Sequence, residues 1–285
     1  GGSRFTYTHV RGYHPLLATA AASGEVLHSK LRGGPSHTAR GARRFLTETF
    51  TRVRAAGHAG ALCVRADSGF YNRRVVGACD KAGATWSITT KMSPKLLRTI
   101  EQIPEESWTD IPYFLDEGAQ VAETSYQPFG GTRAVRLIVR RVRPTPDSQL
   151  ALLTVWSHHA FITNREGQTL DLEADHRRHA ECENAIRDLK EGVGLCHMPS
   201  GRFGANAAWL ALATIAHNLS RWVGAIGLLE ETFTTTRTLR RRYFRVPARL
   251  TRSARRATLH PPARWPWATQ FLAVLTRLRA VQLLT

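Results

Sequence analysis

The chain has 285 residues, 42% of them hydrophobic, and a formal net charge of +18. That length and apolar content exclude a disordered tail and suffice for one large domain or two smaller ones. The charge points to a polyanionic partner, of which nucleic acid is the commonest. The segment Thr232–Thr285 holds twelve Arg and no Lys, Asp or Glu. Arg favours bidentate contact with phosphate. Cys63, Cys79, Cys182 and Cys196 form no Cys-x-x-Cys pair, which fits a reducing, cytoplasmic setting. The opening residues lack the pattern of a signal peptide. The most apolar stretch, Ala207–Leu229, is interrupted by His217, Asn218, Ser220 and Arg221. It is too polar to span a bilayer and is expected as a buried helix, with no membrane partner.

In chain order, residues 13–22 and 26–31 read as two strands around the turn Ser23–Gly24. Thr38 is a candidate cap for a helix reaching about Ala56, whose apolar residues recur at helical spacing. Residues 61–66 form a short strand ending at Asp67, residues 71–82 a helix, and residues 85–90 a further strand. This is an α/β pattern. A short helix is expected at 93–102, then strands at 121–126, 134–142, 150–156 and 161–164. Within 134–142, Val135, Leu137 and Val139 alternate with Arg136 and Arg140, the pattern of a half-buried antiparallel strand. A long helix is expected over 170–190 and another over 205–227. The tail is expected to be partly helical, interrupted at Pro247, Pro261, Pro262 and Pro266. Residues 92–159 thus stand out as a β-rich insertion between a core made of 1–91 and 160–228, followed by an Arg-rich helical region over 229–285.

Two acids are candidates for chemistry. Asp67 ends a strand, and in α/β sheets functional groups gather at the carboxyl ends of strands. It can equally cap the turn that follows. Glu183 lies in a segment where His176, His179, Glu183 and Lys190 are spaced by three, four and seven residues, which on one helix is one face. Such a face can hold a metal and orient a phosphate, or it can be a solvated polar stripe. A zinc site built from His176, His179 and Cys182 with Cys196–His197 downstream has suitable ligands but poor spacing.

Taken together, a strand-ending Asp67, a β-rich block, and then Glu183 with Lys190 seven residues on resemble the DDE transposases of bacterial insertion sequences. Their third acid lies in a Tyr–Arg–Glu–Lys signature. Glu183 and Lys190 match it, while His176 takes the Tyr place and His179 the Arg place, with Arg177 and Arg178 beside them. The resemblance implies a ribonuclease H-like mixed sheet flanked by helices. It also implies three carboxylates holding two Mg²⁺ (or Mn²⁺) ions, and metal-dependent cleavage and strand transfer on double-stranded DNA at transposon ends. Asp67, Glu183 and Lys190 would be catalytic, Asp67 and Glu183 metal ligands, and a homodimer the DNA-bound form. Lys190, His176, His179, Arg177, Arg178, Arg240, Arg241, Arg242 and Arg245 are the expected DNA contacts. No Asp precedes Asp67; Glu25 falls in the hairpin turn and Glu48 within a helix. The first acid is therefore expected upstream of Gly1, and this chain alone is expected to be inactive. The alternative is a non-enzymatic DNA binder using the Arg-rich tail.

Overall fold

The computed structural model describes residues 3–5, 11–34, 36, 39–112, 118–143, 156–229 and 234–281. It divides into two compact units, one made of Gly1–Gly34 with Glu181–Thr285, the other of Pro35–Ala180. The contacts thus part the chain at 34/35 and 180/181. The reason is that the N-terminal hairpin is bonded to a helix almost two hundred residues later, as set out below.

The first unit opens with the short antiparallel pair β1 (Arg4–Phe5) and β2 (Arg11–Gly12). The hairpin β3 (Leu16–Thr19) and β4 (Val26–Lys30) follows, with the expected turn at Ser23–Gly24. Gly24 has φ +70°, a conformation that favours glycine.

The second unit begins with α1 (Ala42–Ala55), which turns Ala42, Phe45 and Leu46 inward. Its start lies beyond Thr38, which is outside the described residues. Strand β5 (Cys63–Ala66) leads into α2 (Arg73–Lys81), capped by the Asn72 side chain, and then β6 (Thr85–Thr89). Helix α3 (Pro94–Glu101) starts as its sequence dictates, with Ser93 as the cap and Pro94 in the first turn. Strands β7 (Thr109–Asp110), β8 (Ala119–Tyr126), β9 (Val135–Val142) and β10 (Ser157–Thr163) come next, followed by α4 (Thr169–Arg177). The strand expected at 150–156 falls almost wholly outside the described residues.

Six of these strands form one mixed sheet in the order β5-β6-β10-β9-β8-β7. The pair β5–β6 is parallel and every other pair antiparallel. The β-rich block therefore extends the sheet that carries Asp67. Strand β9 is covered on both faces, not half-buried: Leu137, Ile138 and Val139 are all sealed from solvent. Leu137 and Val139 pack with Trp86, Ile88, Leu96 and Ile162 on one side. Ile138 packs with Phe161 and Leu172 on the other. Each such side chain contributes about 1.5–3 kcal/mol of burial free energy.

The helix expected over 170–190 is broken. After α4 the chain makes a 3₁₀ turn at Arg178–Ala180, then forms α5 (Glu181–Gly192) in the first unit. Helix α6 (Phe203–Trp222) buries Asn206, Leu210, Ala213 and His217. Its other face exposes Leu212, Ile215, Leu219 and Trp222, so this stretch is buried on one side only. Beyond α7 (Thr236–Leu239) the tail holds a hairpin where helix was expected, β11 (Arg249–Ser253) with β12 (Arg256–His260), and ends in α8 (Ala268–Ala280). Among the described residues no helix is long and apolar enough to cross a membrane.

Candidate functional site

Asp67 stands where the sequence places it, directly after β5, at the carboxyl end of the sheet's parallel pair. It is exposed, and its Oδ1 accepts a hydrogen bond from the Gly69 backbone N–H at 2.9 Å, holding the short turn Ser68–Phe70. The capping role is therefore real. It engages one oxygen and leaves the carboxylate facing water.

Glu183 and Lys190 lie on α5 seven residues apart, and both are exposed. The four-residue face that would add His176 and His179 does not form on one helix. His176 belongs to α4, on the other side of the break at 178–180, and His179 lies in the break itself. His176 is instead held against the sheet. Its Nδ1 is 2.8 Å from Ser87 Oγ, its Nε2 is 3.0 Å from Thr89 Oγ1, and its ring stacks on Phe161 at 4.0 Å. A neutral imidazole can serve both hydroxyls, donating from one nitrogen and accepting at the other. Arg177 and Arg178 are exposed.

Neighbouring charges are committed to the scaffold. Arg65 on β5 and Arg165 both reach Asp175 of α4. Burial alone would raise the Asp175 carboxyl, but Arg165 and Arg65 outweigh it and hold it below the usual carboxylate range. Burial pushes the Glu173 carboxyl up, beside Arg140 at 3.4 Å. Of the acids that precede Asp67, Glu25 accepts from Ser23 Oγ at 2.6 Å and from Trp222, and Glu48 pairs with Arg44 at 2.6 Å.

The inner face of α5 carries a cluster that sequence reasoning missed. Asp188 is 4% exposed and His217 of α6 is fully buried. Asp188 Oδ1 accepts from the Thr236 backbone N–H at 2.8 Å, and Oδ2 accepts from the Thr236 hydroxyl at 2.6 Å. His217 Nδ1 lies 3.1 Å from Oδ2, at an angle too bent for a good hydrogen bond. Its Nε2 lies 3.0 Å from the Gly24 carbonyl and donates to it. Burial alone would raise the Asp188 carboxyl, but His217 and Thr236 hold it below the usual range. Next to His217, Asn218 brackets Val26 of β4, accepting from its N–H at 2.8 Å and donating to its carbonyl at 2.9 Å. Of the polar residues that interrupt the apolar stretch of α6, His217 and Asn218 are thus the ones that meet the hairpin and α5. That interruption was the only signal in the sequence.

The tail arginines divide in two. Arg240 donates to the Gly192 carbonyl, and Arg242 is half-buried over the Trp267 ring at 5.7 Å. Arg241 and Arg245 are exposed. In the second unit, α1 and α2 enclose a groove whose walls include Arg43, Arg54, Arg73, Arg74 and Lys81, with no acid among the lining residues. Its floor is apolar, with Phe50 and Leu62. Such a groove suits an anionic chain with an apolar component.

Asp67 belongs to the second unit and Glu183 to the first. Among the described residues no group of three or more His, Cys, Asp or Glu is gathered so as to hold a metal ion.

Residues 2–283 match the family described as Transposase DDE domain group 1. No curated protein matches the sequence. Among solved structures, the fold is similar to a cryo-EM structure of the piggyBac transposase synaptic complex with hairpin DNA, with a TM-score of 0.52 and 9% identity. The alignment covers 84% of this chain and 47% of that one, so this chain spans about half the length of that relative.

Proposed function

The chain belongs to the family of transposases with a DDE domain of group 1, and from that premise we propose that it is the DNA-processing portion of a transposase of a bacterial insertion sequence. The reaction is cleavage of phosphodiester bonds in double-stranded DNA at the transposon ends, followed by strand transfer. The fold is read as ribonuclease H-like. The observation that supports the site assignment is the contrast among its acids: Asp67 and Glu183, which the resemblance assigns to the family's acidic site, are exposed, whereas Asp175 is tied by ion pairs and Asp188 by hydrogen bonds.

In this reading Asp67 and Glu183 are two of the family's metal-holding carboxylates, and His176 and His179 stand in the Tyr and Arg places of the signature. Two acids fall short of the three that the family site requires. Mg²⁺ (or Mn²⁺), when bound, supplies activation of the attacking oxygen and charge for the leaving one. This chain's own cations bind and orient the polyanion. Lys190, on the same face of α5 as Glu183, contacts phosphate near the cleaved bond, and Arg177, Arg178, Arg241 and Arg245 contact the duplex around it. The basic groove between α1 and α2 follows a further stretch of backbone. The active species is a homodimer on paired ends.

The test is cleavage of end-bearing DNA with Mg²⁺ by the full-length protein that contains this chain. Asp67→Asn and Glu183→Gln should each lower the rate at least about 100-fold and leave duplex affinity within about twofold. Cleavage that survives both changes sinks the assignment. Duplex binding by a wild-type protein that never cleaves favours the other reading, a DNA binder working through its Arg-rich tail.

A further inference from the structure

The hairpin β11–β12 is an exposed two-stranded ribbon. Nine of its ten strand residues are exposed and Thr251 is half-buried. Its cross-strand pair Leu250 and Leu259 is 56% exposed on each side. A lone two-stranded hairpin is marginal in water and gains little from its own side chains. Four arginines, Arg249, Arg252, Arg255 and Arg256, lie within its twelve residues, with no acid. The side chains alternate between faces. Arg249, Thr251 and Ser253 share one face with Arg256, Thr258 and His260, a surface able to hydrogen-bond at every position. On that face Thr251 Oγ1 and His260 Nε2 are 2.8 Å apart.

The tip is unusual. Ala254 and Arg255 have φ of +46° and +66°, in the left-handed region where neither residue type is at ease. Two such residues make the turn whose twist matches that of the strands. A sequence selected only for a stable turn would use Asn–Gly. Here the turn places Arg255 at the point of the ribbon. Strand backbones lie about 4.8 Å apart, so the ribbon with its side chains fits a major groove about 12 Å wide.

We infer that the Arg249–His260 ribbon enters the major groove of duplex DNA, with its six-residue polar face toward the base edges and Arg252 and Arg255 on phosphates. Charge complementarity selects the occupant: an acid-free ribbon fits a polyanion. The inference rests on the transposase reading and adds to it an element outside the acidic site.

The experiment uses the full chain and a 30-bp mixed-sequence duplex, with affinity followed from about 50 to 200 mM salt. Replacing Arg249, Arg252, Arg255 and Arg256 together by Ala should weaken binding about 100-fold and reduce the slope of log affinity against log salt by about 3 to 4. The four-Lys variant should keep most of that slope, which separates loss of charge from loss of fold. Dimethyl sulfate should find guanine N7, a major-groove atom, protected by the wild type and uncovered in the four-Ala variant. Unchanged affinity, slope and N7 protection in that variant overturn the inference. So does a variant that binds DNA normally but loses self-association or vesicle binding, since the ribbon would then serve a second copy or a lipid surface. A wild-type chain that fails to bind the duplex overturns the transposase reading as well; one that binds and loses nothing on ribbon replacement overturns the ribbon alone.

Discussion

Helix α5 carries acids of opposite character five residues apart. Glu183 is exposed on the face it shares with Lys190. Asp188 points inward, takes two hydrogen bonds from Thr236, and faces a buried imidazole. The first is free to meet a ligand; the second is consumed in holding α5 to α6, α7 and the N-terminal hairpin. On the proposed reading, two acids in one helix divide the work of chemistry and of placement. Burial and partners decide which does which, since an unpaired buried charge is too costly to be kept in reserve.

The contrast can be broken most severely from the inside. Asp188→Ala leaves the buried N–H and hydroxyl of Thr236 without their acceptor and removes the carboxylate beside His217, and should cost about 2–4 kcal/mol, read as a fall in denaturant midpoint. A loss under 1 kcal/mol would show the cluster to be peripheral. Next in size is Gly192→Ala. A Cβ there would stand 2.8 Å from Thr236 Cβ and 2.9 Å from Asp188 Oδ1, so overpacking of about 1–3 kcal/mol is expected. A Gly192→Ala variant as stable as the wild type in equilibrium unfolding would contradict the close approach of α5 and α7.

The pH profile follows from the depressed Asp188 carboxyl. A native pKa below the unfolded value of about 3.9 gives stability that is present above that value and lost as pH falls through the native pKa. Acid titration of unfolding should show this loss in the wild type and a shallower one in Asp188→Asn. Identical acid limbs would mean that the burial effect cancels the contacts. The smallest effect is expected on the outer face: Glu183→Gln should change stability by no more than about 0.5 kcal/mol, whatever it does to activity.

Much of the scaffold was legible. The apolar run into Asp67–Ser68–Gly69 marks a strand end, and Ser23–Gly24 marks a hairpin turn, because turn chemistry is local. The break at 178–180 was not, since Arg178, His179 and Ala180 include neither Gly nor Pro and the helical spacing runs straight through. The roles of His176 and Asp188 depend on Ser87, Thr89, His217 and Thr236, all distant in sequence, and no periodicity could supply those partners. The ribbon was missed because Ala254–Arg255 lacks the Gly or Asn that signals a hairpin, so prolines at its flanks suggested broken helix instead.

The proposal is that Asp67 and Glu183, and not the other exposed acids, perform the chemistry. Glu181 and Glu183 are both exposed on the first turn of the same helix, and the proposal assigns a metal-holding role to Glu183 alone. Mg²⁺-dependent cleavage of end-bearing DNA by Glu181→Gln and Glu183→Gln forms of the full-length protein compares them directly. The account predicts near-normal cleavage by the first and a loss of at least about 100-fold in the second. Equal rates in the two would contradict it.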